Sequence, residues 1–212
     1  MSPILYTIAI AVGGVLAGLA LAGALLWRQK QALDAARYQA THDEITGLPN
    51  RRLFLARLRA ALTDGTPVGV VLLDLDRFKT INDTFGHDTG NELLEQVGRV
   101  LAGLPAPVQT AARLSGDEFA VLVAGDRDDT AAAARAAWRV IVAASIRLDG
   151  GELSVAASVG FTHSGNRHVG PRHLLAEADT AMYDAKRCGG GVSEYHLYRT
   201  PPVRRSRDRH YR

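Results

Sequence analysis

The chain has a single cysteine, Cys188, among 212 residues. One cysteine excludes an intramolecular disulfide and fits a reducing compartment. The sequence also has no Cys/His cluster of the kind that binds zinc, and no G-x-x-x-x-G-K-[ST] loop, which excludes a P-loop nucleotide site. The segment DLDRFKTINDTF fails as an EF-hand, because its sixth position is Lys79 and not glycine.

Positive charge is scarce outside the C-terminal end. The formal net charge is +3, but the tail 199–212 holds six arginines and one acid, Asp208, which leaves −2 for the preceding residues. That part lacks the basic, aromatic-rich face that nucleic-acid binding needs, so we expect no nucleic-acid partner. Two interpretations of the tail stay open: attraction to anionic lipid, or a solvated, disordered segment.

The N-terminal region is apolar and uncharged. The run from Ile4 to Trp27 has 24 residues without a charge or a proline, long enough to cross about 30 Å of hydrocarbon at about 1.5 Å per residue. A cleaved signal peptide would have a shorter apolar region behind positive charge, so we predict a transmembrane helix over 1–27. Arg28 and Lys30 follow it, which predicts a single-pass protein of the cell membrane with its remainder in the cytoplasm.

Small residues recur within this predicted span, and a polar segment follows it. Gly14 and Gly18 form a G-x-x-x-G pair, which is either a helix–helix contact face or the ordinary composition of such spans. The polar segment 28–42 contains no helix breaker and predicts a linker helix.

The remaining sequence alternates between strand and helix patterns. The apolar run VGVVLLDL predicts a central strand buried on both faces, and Asp128 or Asp129 would cap a later helix. Strands are predicted at 68–75, about 110–114, about 119–124 and 153–162, and helices at about 51–65, 93–104, 129–147 and 171–188. The pattern predicts an α/β (α+β) domain with helices on the outer faces of its sheet.

Acidic residues follow two of these strands. Asp74 and Asp76 end the central strand, and Asp117 and Glu118 lie at the tip of the predicted hairpin. Converging carboxylates repel one another unless basic groups or a divalent cation compensate them, and oxygen ligands favour Mg²⁺ or Mn²⁺. With Lys79 nearby, this pattern suggests a two-metal phosphoryl or nucleotidyl transfer site. The alternative is that the acids merely end the strands and face water.

Five motifs in order resemble the GGDEF family of diguanylate cyclases. They are DEITGLPNRR (43–52), DLDRFKTINDTFGHDTGN (74–91), RLSGDEF (113–119), SVGFT (158–162) and ADTAMYDAKRCGG (178–190). The resemblance implies a palm-like cyclase domain over 43–198, with a central mixed sheet flanked by helices. It implies an enzyme that condenses two GTP into cyclic di-GMP and two pyrophosphates, which requires a homodimer because each domain holds one GTP.

The same resemblance implies the site residues. Asp74, the Leu75 carbonyl, Asp117 and Glu118 would bind the metal, and Asp117 and Glu118 would be the catalytic acids, with Asp117 helping to deprotonate the GTP 3′-hydroxyl. Residues implied to contact the nucleotide are Phe78, Lys79, Asn82, Asn91, Gly116 and Lys186: the lysines at the phosphates, Asn82 and Asn91 at guanine, Phe78 shaping the site and Gly116 where the backbone approaches the nucleotide.

Departures from the family pattern are also informative. Ser115 replaces the first glycine of the signature; if the turn needs positive φ there, serine costs on the order of 1 kcal/mol relative to glycine. Gly190 replaces an arginine and Asn91 an aspartate. An amide at position 91 should bind guanine less well and can instead pair with adenine, so Asn91 indicates either relaxed base choice or tolerated drift. Residues 106–109 lack the R-x-x-D of the family's inhibitory site, so we predict no such site. An inactive GTP-binding or interaction module is therefore the alternative function.

Overall fold

The computed structural model describes residues 3–148, 151–165 and 167–196, so the tail 199–212 lies outside the described residues. The chain divides into two units at the boundary between His42 and Asp43. Each unit is described by itself.

The first unit is one helix, α1 (Pro3–Gln39). After it, the Tyr38 and His42 rings stack with their centroids 3.9 Å apart, and the Thr41 hydroxyl donates to the Arg37 carbonyl. The transmembrane helix expected over 1–27 stays a prediction; among the described residues, no helix is both long and apolar enough to cross a membrane.

The second unit is built on a mixed five-stranded sheet in the order β2-β3-β1-β6-β7. Its strands are β1 (Val68–Leu75), β2 (Val108–Ser115), β3 (Glu118–Ala124), β6 (Ala157–His163) and β7 (Gly191–Glu194), and β4 (Ser145–Leu148) and β5 (Gly151–Ser154) form a separate hairpin. The strand β1 is antiparallel to both of its neighbours, whereas β6 and β7 are parallel. The helices are α2 (Arg51–Thr63), α3 (Phe78–Phe85), α4 (His87–Ala102), α5 (Arg127–Val142) and α6 (Pro171–Arg187).

The central strand β1 is buried over all eight of its residues. Val71 and Leu73 face a core formed with α4 and α5, whereas Val70 and Leu72 face a second core formed with α2 and α6. Because successive side chains of a strand point to opposite faces, two helical layers are needed to bury such a continuous apolar run. The prediction of a central strand with helices on both faces is confirmed.

Several predicted boundaries were wrong. The N-cap of α5 is Asp126, because its carboxylate accepts from the backbone N–H of Asp128 and Asp129, and the Asp129 carboxylate accepts from the Asp126 N–H. This capping box places the cap earlier than predicted. The helix ends at Val142, and the strand predicted over 153–162 is divided between β5 and β6.

Close packing of α6 on β6 fixes the position of the last helix. A Cβ atom at Gly160 would overlap the backbone nitrogen of Met182 and the carbonyl oxygen of Ala178. The glycine therefore lets the helix backbone lie directly against the sheet. This contact sets where the end of α6, which carries Lys186, meets the end of the sheet.

Candidate functional site

The two acidic strand ends meet, as the sequence predicted. Asp74 at the end of β1 is the register partner of Glu118 at the start of β3. The backbone N–H of Leu75 donates to the Asp117 carbonyl at 3.2 Å, which joins the hairpin turn to the end of β1. The hairpin tip and the central strand therefore form one edge of the sheet.

Lys186 on α6 supplies a cation at this edge. Its Nζ atom donates to Oδ1 of the buried Asp74 at 2.6 Å. Partial burial alone would lower the pKa of Lys186, but the hydrogen bond and charge of Asp74, together with the charges of Asp117 and Asp76, outweigh it and raise that pKa. Lys186 is therefore held as a cation beside Asp74.

Asp117 has the opposite electrostatic environment. Partial burial and then the charge of Asp74 raise its pKa above the ordinary aspartate value, and Lys186 and Arg113 compensate only in part. The site therefore has negative charge that its own cations do not fully neutralise. A divalent cation would relieve this repulsion.

The donors at this edge fit magnesium. In the described ranges no three His, Cys, Asp or Glu side chains come together as a metal-binding group. Mg²⁺, however, is commonly held by one or two carboxylates with substrate phosphates and water. Asp74 and Asp117, with the Leu75 carbonyl as the further predicted ligand, provide an oxygen-only set of this kind.

Glu118 does not join the two aspartates as a third ligand. Its Oε2 atom accepts a hydrogen bond from the Ser115 hydroxyl at 2.9 Å. It lines a cleft of about 440 Å³ between α2 and α6, together with Arg51, Arg172 and Asp179. The predicted metal-ligand role of Glu118 is thus not supported by its position, because the side chain is directed away to this cleft.

The turn of the hairpin needs positive φ at Gly116, not at Ser115. Gly116 has φ +48°. Ser115 does not have positive φ, because Arg77 is the one non-glycine residue with positive φ among the described residues. Ser115 belongs to β2 and carries no such strain. The expected penalty for the serine was wrong, because the turn places its left-handed residue one position later.

The buried Arg113 side chain connects the β2–β3 hairpin to Asp43. Arg113 Nη1 donates to both carboxylate oxygens of Asp43, at 3.0 and 3.1 Å, and its Nε donates to the Gly116 carbonyl at 2.9 Å. Asp43 also accepts from the backbone N–H and the hydroxyl of Thr46, at 2.9 and 2.8 Å. We call Asp43, Thr46, Arg113 and Gly116 the hairpin clamp. Sequence reasoning missed it, although both charged residues lie in motifs that it quoted.

Four of the residues predicted to contact the nucleotide lie on α3 and α4. Phe78 is buried, Lys79 is exposed, and Asn82 and Asn91 are half-buried. The Oδ1 atom of Asn82 is buried without a hydrogen-bond partner, and it packs where a Cβ atom of Gly90 would lie. A buried acceptor without a hydrogen-bond partner is rare in folded proteins, and Gly90 is the residue against which this one packs.

Lys186 also lines a cleft of about 550 Å³. Asp76, Arg77 and Gly190 line it, together with the segment 153–156. The Ser158 hydroxyl donates to Oδ1 of Asp76 at 2.8 Å. Gly190 has φ +100°, and a Cβ atom there would lie 3.2 Å from the Asp76 Oδ2 atom. The sequence predicted Lys186 here, but not the contributions of Asp76 and Arg77 to the lining.

The fold and the site together define a mixed α/β domain of the nucleotidyl cyclase class. Carboxylates end two neighbouring antiparallel strands, and a lysine from the last helix reaches them. Residues 40–191 match the family described as "Diguanylate cyclase, GGDEF domain". The chain therefore belongs to the GGDEF family.

Two relatives of this chain are named for different activities, one as a diguanylate cyclase and one as a cyclic di-GMP phosphodiesterase. It is 40% identical over 161 residues to the diguanylate cyclase TpbB of Pseudomonas aeruginosa, covering 73% of this chain and 37% of the relative. It is 36% identical over 173 residues to the cyclic di-GMP phosphodiesterase PdeR of Escherichia coli, covering 80% of this chain and 26% of the relative. The chain thus spans a minor part of the length of these relatives.

Among solved structures, the coiled coil and GGDEF domain of DgcB from Caulobacter crescentus, in complex with c-di-GMP, is similar. Its TM-score is 0.76 at 27% sequence identity, covering 85% of this chain and 98% of that one. The mixed sheet with flanking helices predicted from the sequence is thus the fold of the GGDEF family.

Proposed function

We propose that this domain is a diguanylate cyclase, which condenses two GTP molecules into cyclic di-GMP and two pyrophosphates. The observation that carries the proposal is the convergence of Asp74 and Asp117, with Lys186 bound to Asp74 at 2.6 Å. Cations and carboxylates in this arrangement suit a reaction in which negative charge develops on phosphate oxygens. The name of the similar protein TpbB agrees with this activity.

The site residues have distinct roles in the proposed reaction. Asp117 is assigned to help deprotonate the attacking 3′-hydroxyl, because a carboxylate at the metal site can act as a general base. Lys186 and the exposed Lys79 stabilise charge on the phosphates. Asn82 is the residue that the family resemblance places at the guanine base. Magnesium or manganese, bound by Asp74, Asp117 and the Leu75 carbonyl, would supply electrostatic stabilisation of the phosphates.

A homodimer is part of this proposal. Each domain provides one carboxylate pair, so it holds one GTP, and each 3′-oxygen must attack the α-phosphate of a GTP on the other domain. Two domains held close together raise the local concentration of this encounter. The linker helix at 28–42 is a plausible means of holding them.

The base preference is a further part of the proposal. Asn91 offers one acceptor and one donor, so it does not select guanine as strictly as a carboxylate does. Two explanations are open: Asn91 is a tolerated replacement and only the GTP dimer forms, or the choice of base is relaxed and mixed-purine products form when ATP accompanies GTP. A mass-spectrometric screen in which only the GTP dimer forms would contradict relaxed choice of base.

At the positions of the family's inhibitory site, Ala106–Gln109, we expect no tight binding of cyclic di-GMP.

The primary test is product analysis of the purified full chain with Mg²⁺ or Mn²⁺ and GTP. We expect cyclic di-GMP, which disappears in Asp117→Ala and persists in the matched control Asp64→Ala, an exposed aspartate at the C-terminus of α2. Absence of any cyclic product from the unaltered dimer would contradict the proposal.

The second candidate function is a GTP-binding or interaction module without cyclase activity. Asn91 and Gly190 favour it, since each replaces a charged residue of the family pattern. The similar protein PdeR is named a cyclic di-GMP phosphodiesterase, so similarity to this chain does not by itself imply cyclase activity. GTP binding by calorimetry without product in the same preparation would support this candidate and exclude the first.

The location of the chain is a separate proposal. The uncharged run 4–27 and the following Arg28 and Lys30 support a cell-membrane anchor with a cytoplasmic domain. Fractionation of cells that express the full chain tests it. Recovery of the chain in the supernatant after removal of membranes would contradict the anchor.

A further inference from the structure

Arg77 has an unfavourable backbone conformation at the junction of β1 and α3. Its φ is +59° and its ψ is +26°, in the left-handed region. A side chain with a Cβ atom is strained there, whereas glycine is not. An arginine where a glycine would suffice for the backbone indicates that its side chain contributes something else, since such strain concentrates at functional sites.

The surroundings of Arg77 indicate what this contribution is. Arg77 lines the cleft of about 550 Å³ together with Lys186, Asp76 and Gly190. Gly190 presents no side chain to this cleft. The cleft is therefore lined by the β1–α3 junction and the glycine turn after α6, together with the lysine that contacts Asp74.

The charges of the cleft are unequally paired. Lys186 is bound to Asp74 at 2.6 Å, and the Asp76 carboxylate accepts from Ser158. Within the described part of the chain, the exposed Arg77 guanidinium has no hydrogen bond or ion pair. Its positive charge is therefore free for an anion that extends along the cleft from Lys186.

We propose that Arg77 binds the polyphosphate chain of GTP, at the phosphates remote from the ribose. The inference deepens the proposed function and depends on GTP being the substrate. A guanidinium suits this task because its planar donors match two phosphate oxygens at once. Lys186 holds the phosphate next to Asp74, and Arg77 holds the part that leaves as pyrophosphate.

The test compares Arg77→Gly, Arg77→Lys and the control Arg59→Ala, an exposed arginine of α2, in the full chain. Calorimetry measures the binding of inorganic pyrophosphate and of GMP in the presence of Mg²⁺. Arg77→Gly is expected to weaken pyrophosphate binding about three- to tenfold, the loss of one exposed charge-assisted contact. GMP binding stays unchanged, and Arg77→Lys, which keeps the charge but loses the two-pronged contact, should recover only part of the affinity.

The glycine variant separates a binding role from a structural one. Because glycine relieves the backbone strain, the melting temperature of Arg77→Gly should not fall. Pyrophosphate binding equal to that of Arg59→Ala would overturn the inference, and so would an equal loss of GMP binding. In active protein, Arg77→Gly should raise the KM for GTP more than it lowers kcat.

Failure of this inference is distinguishable from failure of the cyclase proposal. Arg77-dependent pyrophosphate binding in a chain that makes no cyclic dinucleotide would contradict the cyclase and leave the inference standing. Formation of cyclic di-GMP by a chain that binds pyrophosphate independently of Arg77, or not at all, would refute the inference alone.

Discussion

Removal of the Asp43 carboxylate should destabilise the domain and loosen the hairpin formed by β2 and β3. Asp43 accepts two hydrogen bonds from Arg113 and two from Thr46. The Arg113 side chain is 9% exposed and that of Asp43 is 23% exposed. Asp43→Ala would therefore leave a buried guanidinium without its counter-charge, while the same guanidinium still holds the Gly116 carbonyl.

The size of the effect follows from this burial. Removal of one partner from a fully buried ion pair costs about 3–5 kcal/mol. Because Asp43 is partly exposed and water can reach the vacated space, we expect a loss of about 2–3 kcal/mol in the free energy of unfolding. The control is Asp34→Ala, whose partner Arg37 lies 3.8 Å away on the exposed surface of α1. This change should cost less than about 0.5 kcal/mol.

Urea unfolding of Asp43→Ala, Arg113→Met and the double variant measures both the loss and the coupling between the two residues. The double variant should be less destabilised than the two single losses added together, because it leaves no buried charge unpaired. A loss below about 1 kcal/mol for Asp43→Ala, or strictly additive losses, would refute the reasoning.

The pH dependence of stability provides a second measure of the same contact. Burial alone would raise the pKa of Asp43, but hydrogen bonds from Thr46 and Arg113 and the charge of Arg113 outweigh it, so that the pKa lies below its ordinary value of 3.8. A carboxyl with a lowered folded pKa contributes stability above its unfolded pKa and loses it as the pH falls through the folded one. Asp43→Asn should therefore flatten the acid limb of the stability curve below about pH 4.

Other changes test the packing and the turn. Gly160→Ala should cost about 3 kcal/mol in urea unfolding, because its Cβ atom would meet the α6 backbone. The control Gly170→Ala has open space around it and should cost less than about 1 kcal/mol. Equal losses for the two variants would contradict the packing argument. Gly116→Ala should lose about 1 kcal/mol at its φ of +48°, whereas Ser115→Gly should neither stabilise the domain nor increase product formation; a large gain from Ser115→Gly would show that the serine is strained after all. Glu177→Ala should cost about 2 kcal/mol, because the buried carboxylate accepts from a threonine at 2.7 Å and from an arginine at 2.6 Å; thermal melting that matches the unaltered chain would contradict this.

The sequence was sufficient to predict the features that depend on residues close together along the chain. The run 68–75 predicted the buried central strand, because an uninterrupted apolar strand requires cover on both faces. The acids after it and those at the hairpin tip were predicted to meet, since neighbouring antiparallel strands bring such ends together. The short helix α3 and the strand β7 were not predicted, because eight and four residues carry too little periodicity to be recognised.

Only the tertiary structure decided which charges pair. Lys186 and Asp74 are 112 positions apart, and Arg113 and Asp43 are 70 apart. No local pattern relates such residues, because their distance depends on how close α6 lies to β6 at Gly160 and on where the hairpin meets the segment 43–50. The structure likewise placed the positive φ of the turn on Gly116 and directed Glu118 to Ser115. Residue types and local periodicity set the elements and the chemistry at hand, whereas packing over long separations selected the partners that each charge finds.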